Sequence, residues 1–203
     1  MFFALAGVAA VANWIAVERE DTRLEYVAKP ATTALLLAAA LALTPQSSAE
    51  RAWFVAALAF CLAGDVFLML PRDAFVPGLA SFFVGHVCFV AGFFAGGLSA
   101  PFVPTGIAAL LIVPVIARPI VRGARAQDPA LVAPVLAYMT VLVALVTVAG
   151  PTRSWWAIAG SCVFVTSDFI LARNRFVKPF AHAHLATMVT YHAALALLVL
   201  SLR

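Results

Sequence analysis

Two aspartates stand inside long apolar stretches of this 203-residue chain. Asp65 lies between Leu62-Ala63-Gly64 and Val66-Phe67-Leu68, and Asp168 between Val165-Thr166-Ser167 and Phe169-Ile170-Leu171. An aspartate at the centre of a membrane-spanning helix costs about 2.5–3.5 kcal/mol to insert. Each therefore needs a partner, a water-filled cavity or a proton. Two such carboxyls suit general acid–base chemistry, one donating a proton while the other stabilises charge or activates water. They suit a proton relay in a carrier equally well. The other acidic residues, Glu18, Glu20, Asp21, Glu25, Glu50, Asp73 and Asp128, fall in segments expected to be solvated loops.

Further polar side chains fall in the same half of the apolar stretches. Asp65 precedes Pro71 by six residues and Asp168 precedes Arg173 by five, which places them about 9 Å and 7.5 Å from one membrane face. Lys29 stands beside Pro30 at the expected start of an apolar run. Tyr138, and Tyr191 with His192, lie about two turns into theirs, and His86 about three. The opposite half offers only hydroxyls and Asn13. An inward-facing polar pocket is the economical arrangement. If the helices carrying Asp65 and Asp168 are neighbours, the carboxyls face each other.

The elements that position these residues follow from composition. Of the chain, 65% is AVILMFWYC and 11% is charged, with a mean hydropathy of +1.04. A soluble domain is about 45–50% apolar and about 25% charged. Thirteen basic and nine acidic side chains cannot cover a water-facing surface, and the apolar content excludes disorder. The fold class is all-α: a polytopic membrane bundle of about eight helices, expected near 1–17, 30–44, 52–70, 75–96, 102–117, 130–149, 155–172 and 183–202. Runs such as 31–43 and 141–148 lack the alternation of barrel strands. One integral membrane domain spans 1–203.

The first run lacks a basic region ahead of it, so it reads as a retained helix and not a cleaved leader. Basic residues set the orientation. Arg19, Arg23, Lys29, Arg72, Arg118, Arg122, Arg125, Arg173, Arg175 and Lys178 fall on one side, and Arg51, Arg153 and Arg203 on the other. The expected topology puts both termini outside and the polar pocket toward the cytoplasm. Trp53, Trp155 and Trp156 open spans at the outer interface. The net charge of +4 is thus a topological signal spread over several loops, and supports no nucleic-acid partner. Gly64-Asp65-Val66-Phe67-Leu68 and Ser167-Asp168-Phe169-Ile170-Leu171 sit on helices four apart, as a 4+4 parallel repeat would place them.

In the fourth span Gly78, Ser81, Gly85, Cys88, Gly92 and Gly96 form a small-residue seam suited to close helix packing. Phe82, His86, Phe89 and Phe93 form an adjoining stripe. Cys61, Cys88 and Cys162 lie in apolar runs, unlike a disulfide framework. Three non-hydrolytic or metal-based alternatives remain at this level: a proton-coupled carrier using the two aspartates, a structural polar pair, and a zinc hydrolase drawing on His86, His182, His184 and His192. His182 and His184 are two residues apart at a helix start, which splays them onto different faces.

Taken together, Lys29-Pro30, Gly64-Asp65-Val66-Phe67-Leu68, Phe75-Val76-Pro77-Gly78-Leu79, Phe82, Gly85-His86, Tyr138, Gly160, Phe164, Ser167-Asp168 and Tyr191 resemble the YhhN-like family of multi-spanning membrane proteins, whose characterised members are lysoplasmalogenases. The resemblance covers essentially the whole chain. It implies eight helices, no obligatory cofactor, a lysophospholipid substrate and hydrolysis of its alkenyl ether bond. The implied products are a fatty aldehyde and glycerophosphoethanolamine or glycerophosphocholine. It implies Asp65 and Asp168 as the catalytic pair. Residue chemistry adds His86, Tyr138 and Tyr191 to orient water or the ether oxygen, Ser167 and His192 beside the substrate, and Lys29 at the lipid phosphate with Arg72 or Arg173. One departure stands out: Leu195 occupies a position where the family pattern leads to a Gln. The chemistry fits two carboxyls. A vinyl ether resists base and yields to acid, through an oxocarbenium ion like that of glycoside hydrolysis, and desolvation with mutual repulsion keeps one carboxyl of a pair in its acid form.

Overall fold

In the computed structural model, which describes residues 1–101 and 103–203 and the backbone alone at 103, 104, 109, 110, 112 and 114, the described residues form eight α-helices. These are α1 Phe2–Glu18, α2 Thr22–Ala42, α3 Ser48–Met69, α4 Phe75–Gly96, α5 Val103–Gln127, α6 Val132–Ala149, α7 Trp155–Phe176 and α8 Ala183–Leu200. Single 3-10 turns flank α6 at Pro129–Leu131 and Gly150–Thr152. Among the described residues, six helices (α2, α3, α4, α6 with its flanking turns, α7 and α8) are long and apolar enough to cross a bilayer; α1 is a shorter apolar helix of 17 residues. The protein is an all-helical, polytopic membrane bundle.

Four boundaries differ from the sequence expectation by four residues or more, and each moves charges from loops onto helices; one is α3, which begins at Ser48 and so carries Glu50 and Arg51. The second helix begins at Thr22, well before Pro30, because the Asp21 carboxylate caps it by accepting hydrogen bonds from the backbone N–H groups of Arg23 and Leu24. Pro30 therefore lies inside the helix, a placement that neighbouring helices make tolerable in a membrane bundle. Lys29 and Glu25 ride on α2 with it. Helix α5 runs on to Gln127, carrying Arg118, Arg122 and Arg125. Helix α7 runs on to Phe176 and carries Arg173 and Arg175 in its last turn. Asp65 is consequently one turn from the end of α3, whereas Asp168 is two turns from the end of α7.

Packing follows a ring. α1 lies on α2, α2 on α3, α3 on α4, α4 on α6, α6 on α7, α7 on α8, and α8 closes against α1 and α2; α5 packs outside, on α6 and α7. The α3–α4 and α7–α8 pairs are the most extensive. Glycines permit both approaches. A Cβ on Gly92 would fall 2.6 Å from the Phe54 ring, and one on Gly160 would fall 3.0 Å from the backbone nitrogen of Leu198. The small-residue seam of α4 is a packing surface. Among the described residues, the main core draws on α1 to α4 and α6 to α8, including Phe54, Phe89, Phe93, Phe164, Leu195 and Leu198. Ile120, Ala124, Val135 and Phe176 form a separate cluster under α5.

Candidate active site

The ring gives each buried aspartate its own company. Asp65 on α3 is fully buried. Its Oδ2 accepts hydrogen bonds from Thr33 Oγ1 at 2.6 Å and Tyr191 OH at 3.0 Å. Lys29 Nζ stands 3.7 Å from Oδ1, and the lysine itself is 2% exposed. Lys29 and Thr33 are four apart on α2 and so share a face. Thr33 escaped the sequence reading; its spacing from Lys29 was the available signal. A charge-assisted set of this kind compensates a buried carboxylate that would otherwise be unaffordable.

Asp168 on α7 meets different helices. Its Oδ2 accepts from Tyr138 OH of α6 at 2.9 Å, and His86 Nε2 of α4 lies 3.3 Å from the same oxygen. That last contact is close enough for an ion pair, yet Nε2 makes no aligned hydrogen bond. His86 Nδ1 lies 2.6 Å from the Phe82 carbonyl oxygen. The two clusters share no hydrogen-bond partner. Aromatic rings join them: Phe164 lies 4.3 Å from the His86 ring and 5.6 Å from the Tyr191 ring, centroid to centroid. Helices α3 and α7 pack chiefly on α4 and α8, so direct opposition of the carboxyls gives way to two adjoining half-sites.

Two cavities approach the half-sites. One, of about 170 Å³, is apolar and lined by Leu79, Phe82, Ile120, Leu142 and Phe169, with Asp168 and Tyr138 in its wall. The other, of about 810 Å³, is a polar vestibule that includes Glu25, Lys29, Arg72, Asp73, Arg175 and His184. Leu68, Phe75 and Leu171 line both. At the vestibule rim the Arg175 guanidinium donates to Asp73 at 2.5 Å and holds that carboxyl below its ordinary value.

The remaining sequence-selected residues are placed elsewhere. Ser167 Oγ donates to the Thr187 carbonyl and ties α7 to α8. His192 Nδ1 accepts from the Trp14 indole N–H at 3.1 Å, a partner that the sequence did not disclose. Leu195 is buried in the apolar core. Arg173 lies over the Phe180 ring and is absent from the linings of both cavities. His182 and His184 contact Glu18 and Glu25, at 3.3 and 3.1 Å; Glu25 is therefore a helix-borne partner of His184 and not a solvated loop residue. Among the described residues, no three His, Cys, Asp or Glu side chains converge as a metal site.

An all-helical bundle of apolar helices around buried polar groups defines a multi-pass membrane protein. Its family is the YhhN family: the family model matches residues 24–202, and the chain belongs to it. It is 35% identical to lysoplasmalogenase TMEM86B of Homo sapiens over 148 residues, covering 71% of this chain and 61% of that protein. It is 34% identical to the Mus musculus protein of the same name, over 73% of this chain and 63% of the other. A lysoplasmalogenase of Mycobacterium tuberculosis is 31% identical over 72% of this chain and 58% of its own length. The chain thus spans about three fifths of these curated relatives. No solved structure matches it.

Proposed function

We propose that this protein is a lysoplasmalogen hydrolase that cleaves the alkenyl ether bond by acid catalysis with Asp65 and Asp168. One observation carries the reading: a buried carboxyl lines an apolar chamber that adjoins a charged vestibule holding the cation partner of a second carboxyl. A lysolipid has the matching shape. Its single chain suits the apolar chamber, its phosphate and amine suit the mixed charges of the vestibule, and its ether bond falls between them. The lysoplasmalogenase names of the relatives support the same substrate class.

In this scheme a carboxylic acid protonates the vinyl carbon β to the ether oxygen, giving an oxocarbenium ion. A carboxylate stabilises that cation and directs water onto it. The hemiacetal then collapses to a fatty aldehyde and a glycerophospho-base. Lys29, expected at the lipid phosphate, is buried against the Asp65 carboxyl instead, and in this scheme Arg72 in the vestibule wall meets the phosphate. Tyr138 and Tyr191 fix the carboxyls through the hydrogen bonds described above. With the basic-residue bias as a guide, the vestibule opens to the cytoplasmic face of the cell membrane, and α1 and α5 complete eight crossings with both termini outside.

Aldehyde release from a defined lysoplasmalogen by the purified protein tests the proposal. Activity that disappears in Asp65→Asn and in Asp168→Asn supports it; well-folded wild type that releases no aldehyde refutes the substrate, and full activity in either variant refutes the paired mechanism. Proteoliposomes preloaded with solute separate hydrolysis from transport.

A further inference from the structure

The two carboxyls differ in what their partners require of them. At Asp65 the neighbours are donors or a cation: Thr33 and Tyr191 hydroxyls on Oδ2, and the Lys29 ammonium near Oδ1. A charged carboxylate suits all three neighbours without an added proton, with Oδ1 held by the ammonium's charge and not by a hydrogen bond.

At Asp168 the set does not close. Tyr138 donates to Oδ2, and the other neighbour is the His86 ring. His86 Nδ1 lies 2.6 Å from the Phe82 carbonyl oxygen, an acceptor only, so Nδ1 must carry hydrogen. Turning the ring over would set a C–H at that same separation, inside van der Waals contact, which fixes the nitrogen assignment sterically. A neutral imidazole protonated at Nδ1 presents a lone pair at Nε2. That nitrogen is fully buried, has no hydrogen bond of its own and stands 3.3 Å from the carboxyl oxygen. Two lone pairs opposed in an apolar interior repel, and a proton between them turns the repulsion into a hydrogen bond.

We propose that Asp168 is held as the neutral acid by His86, with its O–H resting against Nε2, and that Asp168 therefore delivers the proton while Asp65 serves as the carboxylate. The inference rests on the hydrolase reading for the delivery step alone. His86 is absent from the lining of the apolar chamber, whereas Asp168 and Tyr138 belong to it; His86 is a positioning residue that acts through Asp168. Delivery takes a turn of the carboxyl about its Cβ–Cγ bond, a broad and soft torsion. The Asp168 O–H bond then breaks, the vinyl π pair forms the new C–H bond, and the ether oxygen shares the positive charge. Water bonds to the cation, and the proton it sheds returns to Asp168. Collapse of the hemiacetal passes its hydroxyl proton to the departing glyceryl oxygen. Water is the co-reactant and the acid is regenerated.

Infrared spectroscopy of the full chain in lipid nanodiscs, without substrate, tests the proton's position. The expected result is a protonated-carboxyl band that Asp168→Asn removes and Asp65→Asn retains. His86→Gln should remove it too, because the amide N–H satisfies a carboxylate at Oδ2. A band removed by Asp65→Asn in place of Asp168→Asn overturns the assignment, as does a wild-type spectrum with no band sensitive to Asp168→Asn. The wild-type and aspartate-variant spectra decide this even if His86→Gln does not fold. In the folded variant, kcat on lysoplasmalogen should fall about 10²-fold with KM within about twofold; an unchanged kcat overturns the positioning role. A protein that shows the Asp168 band and hydrolyses nothing refutes the hydrolase reading while the proton assignment stands.

Discussion

The Asp65 and Asp168 half-sites place the same side chain on two different helices, yet surround it in opposite ways. Asp65 is enclosed by α2 and α8, which offer an ammonium and two hydroxyls. Asp168 is met by α4 and α6, which offer one phenol and one imidazole nitrogen. Asp65 is sealed, and its lysine faces the polar vestibule; Asp168 lines the apolar chamber. The contrast teaches that position along a span does not determine what a buried carboxyl does. Its neighbours' donors and lone pairs do.

The strongest way to break the comparison is to remove the carboxyl charges. Asp168→Asn should lower kcat for aldehyde release by about 10²–10⁴-fold, and Asp65→Asn should lose activity as well. The double variant should be little worse than the weaker single one, since the two act in one step.

Next in size is Lys29→Met, which strands a buried carboxylate. It should destabilise the bundle by about 3–5 kcal/mol, and adding Asp65→Asn should recover most of that loss. Adding Asp168→Asn instead should recover nothing, because Lys29 serves the Asp65 half-site. Unfolding midpoints in detergent measure both. Thr33→Val removes a hydrogen bond to the carboxylate and should cost about 1.5–3 kcal/mol in the same assay.

The two buried histidines sharpen the comparison further. Trp14→Phe leaves His192 Nδ1 without its donor, a loss of about 1–3 kcal/mol in stability, with kcat nearly unchanged. The smallest effect is expected at the rim. Asp73→Asn removes an exposed pair with Arg175. Because Arg175 holds the Asp73 carboxyl below its ordinary value of 3.8, the pair's contribution is complete above that pH and is lost only as pH falls below it. Wild type and Asp73→Asn should therefore keep the same offset in unfolding midpoint from pH 5 to pH 8, an offset of about 1 kcal/mol or less.

The residue reading located much of this. Hydropathy marked all eight helices, and the rarity of charge singled out Asp65 and Asp168. It misplaced the start of α2 because Pro30 looked like a helix opener, whereas Asp21 supplies the cap. It grouped His192 with the polar pocket, but the Trp14 indole engages that ring. Neither Thr33 nor Trp14 differs in type from ordinary span residues; only the four-residue spacing from Lys29 distinguished Thr33, and nothing local distinguished Trp14.

The sequence by itself determined a membrane bundle, the approximate helices and the short roster of ionisable groups inside them. These are local properties, set by how apolar each stretch is and by how few charges a bilayer accepts. Only the tertiary structure decided that Lys29, Thr33 and Tyr191 gather on Asp65, while His86 and Tyr138 gather on Asp168. Those partners are distant in the chain, and their meeting depends on the order of helices around the ring and the rotation of each about its axis. Close approaches at Gly92 and Gly160 fix two of those pairings. Chemical difference between two like aspartates is therefore a property of helix packing, because donors and lone pairs count only where side chains meet.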